Sequence, residues 1–168
     1  MSGRVFLFGD NIDTDVLAPG QYMKGGIKMI AAHCLETVRP DFAGSVRSGD
    51  VLVGGRNFGM GSSREQAAEA LKHLGLSAVI AKSFAGIFYR NAINLGLPVL
   101  IAHDLDAVAD DDTADLDLDA GTLRLVDRDK TIKLEPLPDN LKRMLADGGL
   151  VPHLKKRFTA ERERETGL

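Results

Sequence analysis

Apolar residues in this chain fall into short unbroken runs separated by turn-forming residues. Val5-Phe6-Leu7-Phe8, Val51-Leu52-Val53, Ala78-Val79-Ile80-Ala81 and the run from Pro98 to Ala102 are four such runs. Runs this short, with no polar alternation, predict strands buried on both faces. Between them the spacing changes. Ile27, Ile30, Ala31, Cys34, Leu35 and Val38 recur at helical intervals and predict an amphipathic helix stopped near Arg39-Pro40. Cys34 falls on its inward face as a core cysteine, and His33 falls on the polar face, open to solvent. Ala67, Ala70, Leu71 and Leu74 predict a second helix from about residue 62 to 74, and a third is expected around Gly86 to Leu95.

Strand, helix, strand, helix, strand at this spacing describes an α/β protein with a parallel core sheet. Ligands of such sheets sit beyond the carboxyl ends of the strands. That rule selects two loops, "DNIDTD" after the first run and "GMGSSRE" after the second. Farther on, the aspartate-rich stretch from Asp104 to Asp119 lacks EF-hand spacing and alternates with Leu116 and Leu118, so a solvated strand is expected. "TLRLVD" and "TIKLEP" read as a hairpin, a helix follows Pro138, and Gly148-Gly149 interrupt it. The charged tail "ERERETGL" is expected to fray. No linker is evident, so residues 1–168 are read as a single domain.

Composition narrows the function. A net charge of −3 and a pI near 5.8 leave no electrostatic footprint for nucleic acid or an anionic membrane. No run is long enough for a membrane span or a signal peptide, which points to the cytoplasm. The single cysteine, Cys34, cannot form an intrachain disulfide and cannot hold an iron–sulfur cluster, which needs three or four thiolates. His33, His73, His103 and His153 are scattered, with no zinc-binding spacing. No metal site is expected in this chain.

The stretch "NFGMGSSREQA", Asn57 to Ala67, carries the candidate chemistry. Ser62 and Glu65 have the spacing of a capping box, a purely structural use. The loop lacks the lysine of a phosphate-binding loop and the third glycine of a dinucleotide fingerprint. What remains is an anion-friendly place: a helix N-terminus, the hydroxyls of Ser62 and Ser63, and the fixed cation of Arg64.

"DNIDTD", "NFGMGSSRE" and "AKSFAGIFYRNAINLGLPVL", in this order, resemble the small subunit of 3-isopropylmalate dehydratase, the detached swivelling domain of the aconitase superfamily. The closest likeness spans residues 4–101, with further strands and helices over 104–168. The resemblance implies an aconitase-like swivelling β/β/α domain and a hydro-lyase that isomerises a small hydroxy di- or tricarboxylic acid by dehydration and rehydration. It implies 2- and 3-isopropylmalate as substrates and leucine biosynthesis as the setting. It also implies a heterodimer with a large subunit bearing a [4Fe–4S] cluster, in keeping with the cysteine count here. Ser62 then matches the catalytic base and Asp15 an acidic active-site residue. Ser63 and Arg64 match substrate-binding positions, and Tyr22, Met23 and Lys24 fall where related proteins discriminate the substrate's side group. Lys24 is read either as a carboxylate ligand or as an ordinary exposed lysine.

The departures from the family pattern cluster near this site. Met60 stands where a cysteine is common, Gln66 where a histidine is common, and Gly86 where an arginine is common; the loop reads "YMKGG". These leave homoaconitate-, dimethylmalate- and citramalate-type acids open as alternative substrates. A non-catalytic anion-binding module is a second reading, and the chain in isolation could form a homo-oligomer. A hydrolytic Ser62 is a third, opposed by the absence of a G-x-S-x-G elbow.

Overall fold

A computed structural model describes residues 2–167. Seven strands form one sheet: β1 (Ser2–Leu7), β2 (Val51–Val53), β3 (Ala78–Ala81), β4 (Val99–Ile101), β5 (Thr113–Asp117), β6 (Thr122–Leu125) and β7 (Lys130–Lys133). Their order is β4-β3-β2-β1-β5-β6-β7. The first four run parallel; β5 pairs antiparallel with β1, β6 antiparallel with β5, and β7 antiparallel with β6.

The unbroken apolar runs have a direct cause. Successive side chains of a strand point to opposite faces, and here both faces are dry. Phe6, Leu52, Val79 and Val99 enter one buried cluster, packed beneath helices, together with Ile30, Leu71 and Phe88. Val5, Val51, Val53, Ala78 and Ile80 enter another, whose far wall includes Leu123 and Leu125 of β6 and Ile132 of β7. The antiparallel strands therefore curl over the second face of the parallel ones. The curl nearly closes, since Glu135, just past β7, donates its N–H to the Ile101 carbonyl of β4 at 2.7 Å. The result is the β/β/α arrangement, with helices on one side only.

The helices are α1 (Thr14–Leu17), α2 (Gly26–Ala32), α3 (Phe42–Ser45), α4 (Glu65–His73), α5 (Gly86–Asn94), α6 (Asp139–Ala146) and α7 (Leu150–Thr166). A 3-10 turn over Gly20–Gly25 leads into α2. Phe42 is fully buried, and Phe6 and Phe8 meet it edge-on, with ring centroids 5.1 and 5.4 Å away. Each such pair adds about 0.5–1.5 kcal/mol beyond its area burial.

Three elements differ from the sequence reading. The helix expected over 27–38 stops at Ala32, because Leu35 takes a left-handed φ of 60° and donates its N–H to the Val16 carbonyl at 2.9 Å. A tertiary hydrogen bond and a fully buried leucine outweigh helix continuation. The aspartate-rich stretch forms β5 only from Thr113; before it, Asp110, Asp111 and Asp112 are paired with Arg39, Arg4 and Arg128. Burial alone would raise the Asp110 carboxyl, but hydrogen bonds from Arg39 and the Leu7 N–H outweigh it and leave the group below its ordinary range. The charged tail does not fray in this structure: α7 continues through it to Thr166. Its final residue, Leu168, lies outside the described residues.

Candidate functional site

Beyond the carboxyl ends of β1, β2 and β3 the chain does not splay. Asn11 N–H donates to Arg56 O at 2.8 Å, Gly59 N–H to Ile12 O at 2.7 Å, and Thr14 N–H to Met60 O at 2.8 Å. Phe58 N–H reaches Ser83 O at 3.0 Å, and Ala85 N–H reaches Phe58 O at 2.9 Å. Asp10 adds a side-chain bond from Arg56 N–H at 2.7 Å. These three loops thus extend the sheet's strand order past its regular edge. Residues far apart in sequence gain fixed positions without a helix or strand beneath them.

On this scaffold the loop after β2 turns twice through left-handed glycines. Gly59 has φ +81° and lies so close to Phe88 that any Cβ would overlap its ring. Gly61 has φ +108°, and a Cβ there would sit 2.9 Å from Thr14 Oγ1 and 3.0 Å from Asp13 Oδ1. Only glycine lets the backbone pass this close to α1 without strain. The pass delivers Ser62 onto Thr14. Ser62 N–H donates to Thr14 Oγ1 at 3.0 Å, and the two hydroxyl oxygens are 3.2 Å apart. Thr14 is buried at 1% exposure, whereas Ser62 and Ser63 lie open on the surface.

The capping-box expectation is overturned here. α4 begins at Glu65 with Arg64 as its N-cap and no side-chain cap. Ser62 lies too far before the first turn, and its hydroxyl is engaged with Thr14 instead. The Ser62 oxygen is therefore not spent on its own helix.

Arg64 turns back across α1. Its Nη1 pairs with the Asp15 carboxylate and donates to Ala18 O at 3.1 Å. Asp15 sits in the first turn of α1, which Asp13 caps by accepting the Asp15 N–H at 2.6 Å. Two acceptors, the Asp15 carboxylate and the Ala18 carbonyl, share Nη1 and so set the guanidinium's orientation. Ser63 is held from another side, its carbonyl accepting from Asn91 Nδ2 of α5 at 3.3 Å. Ser62, Ser63, Arg64 and Asp15 are thus brought to one place.

Tyr22 and Lys24 lie on the 3-10 turn that starts at Gly20, where a Cβ would come within 3.7 Å of Arg64 Nη2. Lys24 is exposed on that turn. Tyr22 stacks on His33, with ring centroids 3.6 Å apart and planes within 6°. His33 is held by Glu36 at 2.6 Å, so it is a structural partner of this turn rather than a freely solvated residue. Partial burial, then the Glu36 charge, raises the Tyr22 phenol above its ordinary pKa. Sequence reasoning missed Thr14, His33 and Asn91. Thr14 did carry one signal, its place inside "DNIDTD".

Cys34 is fully buried, and burial pushes its thiol far up, against thiolate formation. Among the described residues no three His, Cys, Asp or Glu side chains gather as metal ligands. These residues do not fit an iron–sulfur cluster. A groove of about 580 Å³ between α6 and α7 is lined by Arg143, Asp147, His153 and Lys156 and includes none of the serines. Ser62 and Ser63, both exposed, form an open ledge. No described helix is long and apolar enough to cross a membrane.

A mixed sheet curled into a β/β/α body, with a serine–serine–arginine ledge at the carboxyl ends of its parallel strands, defines the swivelling-domain class. The aconitase C-terminal domain family model matches residues 40–104. Over 156 residues the chain is 51% identical to the methanogen homoaconitase small subunit of Methanothermobacter thermautotrophicus, covering 92% of this chain and 90% of that one. It is 46% identical to 3-isopropylmalate dehydratase small subunit 1 of Thermotoga maritima, covering 92% and 94%. The crystal structure of a 3-isopropylmalate dehydratase from Methanocaldococcus jannaschii superposes with a TM-score of 0.92 at 46% identity, covering 97% and 98%. The chain belongs to the aconitase-superfamily family of dehydratase small subunits.

Proposed function

We propose that this chain is the small subunit of a cytoplasmic hydro-lyase that interconverts 2-isopropylmalate and 3-isopropylmalate, the isomerisation used in leucine biosynthesis, and that it works only with a large subunit. The observation that carries the reading is the ledge itself: an exposed Ser62 hydroxyl beside an Arg64 locked by Asp15. Dehydration of a hydroxy acid requires removal of a carbon-bound proton and departure of a hydroxyl. Ser62 Oγ is the group on this chain that takes and returns the proton. Among the described residues a Lewis acid for the hydroxyl has no ligand set, and in this reading it is a [4Fe–4S] cluster of the large subunit, which the family likeness supports.

Arg64 binds a substrate carboxylate through the guanidinium edge that Asp15 and Ala18 leave free. Ser63 and the uncapped first turn of α4 add hydrogen-bond donors for the same carboxylate. Asp15 acts through Arg64 by fixing its direction. The turn bearing Tyr22 and Lys24 borders this ledge and contacts the substrate's variable side group. An open half-site of this kind is completed by closure against the other subunit, which also excludes the water that would quench a serine alkoxide.

A second reading, the same chemistry on a homoaconitate-type acid, is favoured by the 51% identity to a homoaconitase small subunit. One experiment addresses both. The chain is co-expressed with its large subunit, the cluster is loaded anaerobically, and formation of the unsaturated intermediate is followed by absorbance from isopropylmalate and homoaconitate-type acids. Isopropylmalate turnover that falls by about three orders of magnitude in Ser62→Ala supports the proposal. Preference for the longer acid moves the substrate assignment, and undiminished turnover in Ser62→Ala overturns the serine base.

A further inference from the structure

We infer that Thr14 is a positioning residue for Ser62, donating the hydrogen bond that holds the Ser62 oxygen in its deprotonated form. This rests on the reading of Ser62 as the base. Thr14 Oγ1 already accepts the Ser62 N–H at 3.0 Å, and Ser62 Oγ lies 3.2 Å from that same oxygen. A hydroxyl has one hydrogen and two lone pairs. With one lone pair taken by the Ser62 amide, Thr14 keeps its hydrogen and a second lone pair, so in the neutral pair either hydroxyl can donate to the other. Once Ser62 has lost its proton, the direction is forced, because an alkoxide only accepts.

Two further features support the assignment. Thr14 is 1% exposed, so water does not compete for its hydroxyl, and a hydrogen bond to an ionised oxygen in such a place is stronger than one between neutral groups. Thr14 is also rigidly placed. Its N–H donates to Met60 O at 2.8 Å, its carbonyl accepts from Ala18 N–H at 2.8 Å, and Asp13 caps the short helix it begins. Gly61 has no side chain, which leaves the space between Thr14 and the serine loop free. The pair thus acts as a preorganised donor aimed at a developing negative charge. Proton balance is simple: the substrate's carbon-bound proton goes to Ser62 Oγ and returns from it, and the Thr14 proton never leaves its oxygen.

The test uses the reconstituted, cluster-loaded complex and the variants Thr14→Val, Thr14→Ser, Ser62→Ala and the Thr14→Val/Ser62→Ala double variant. Valine keeps the shape and removes the hydroxyl; serine restores it. Thr14→Val should lower kcat by about 10²-fold with little change in KM and move the rising limb of the kcat–pH profile to higher pH. Thr14→Ser should recover most of the rate and the original profile. Adding Thr14→Val to Ser62→Ala should cost nothing more, since the group it serves is gone. Thermal unfolding of each variant separates a folding defect from a catalytic one. A Thr14→Val enzyme with unchanged kcat and pH profile, or one that Thr14→Ser fails to rescue although it melts normally, overturns the inference. If Ser62→Ala itself retains full turnover, it is the serine base that fails, and the two failures are distinct.

Discussion

The parallel and antiparallel halves of the sheet share one buried cluster yet serve different ends. In the parallel half, β1, β2 and β3 point the same way, so the loops leaving them emerge side by side and pair with one another through backbone bonds such as Gly59 to Ile12 and Phe58 to Ser83. In the antiparallel half, β5, β6 and β7 are joined by tight turns that send consecutive loops to opposite ends. Only the first arrangement gathers residues from distant parts of the chain at one edge. The second closes the sheet, covers Val5, Val51 and Ile80 from the far side, and holds its own charges in local pairs.

This division can be broken from either side. The largest effect is expected from Gly59→Ala, which forces a side chain into Phe88 and imposes a left-handed backbone on alanine. The cost is about 3 kcal/mol or more, and activity falls with stability because the same glycine aims Ser62. Chemical denaturation alongside steady-state assay of the complex checks it; a stable, active variant would separate loop geometry from the site. In the antiparallel half, Arg128→Ala removes the guanidinium that meets the nearly buried Asp112 at 2.8 Å. A loss of about 1–3 kcal/mol is expected, with kcat unchanged within twofold; a fall in kcat at full occupancy would show that the halves are coupled.

The smallest effect concerns the corner between α6 and α7, where Asp147 meets His153 at 2.6 Å and Lys156 at 2.9 Å. The hydrogen bond from His153, then that from Lys156, lowers the Asp147 carboxyl below its ordinary value. Its stabilisation is therefore present above the unfolded-state value of about 3.9 and is lost as pH falls through the lower folded-state value. The urea midpoint of the wild type should drop across that acid range more than that of Asp147→Asn. Parallel curves for the two proteins would remove the pair from the stability account.

Much of the scaffold was legible from residue order. β3 and α5 follow the apolar runs and spacing closely, because burial on both strand faces leaves an unambiguous hydrophobic record. The ends of α2 and α4 were not legible. Leu35 leaves the helix for a bond to Val16, and Ser62 leaves the cap for Thr14; both partners lie in α1, distant in sequence. Local propensity carries no term for such a partner.

The site divides in the same way. Ser62, Ser63, Arg64 and Asp15 could be singled out from motif chemistry, as could the exclusion of a cluster by a single cysteine. Their mutual geometry could not. That Arg64 turns back onto Asp15 and that Thr14 underlies Ser62 depends on segments more than 40 residues apart being laid side by side by the parallel sheet, and the Tyr22–His33 stack depends on how the 3-10 turn folds onto the end of α2. By itself the sequence determined the strand cores, the class of chemistry and the kind of residue that performs it. The tertiary structure alone decided which hydroxyl meets which, because hydrogen bonds between loops are set by the register of the strands that carry them.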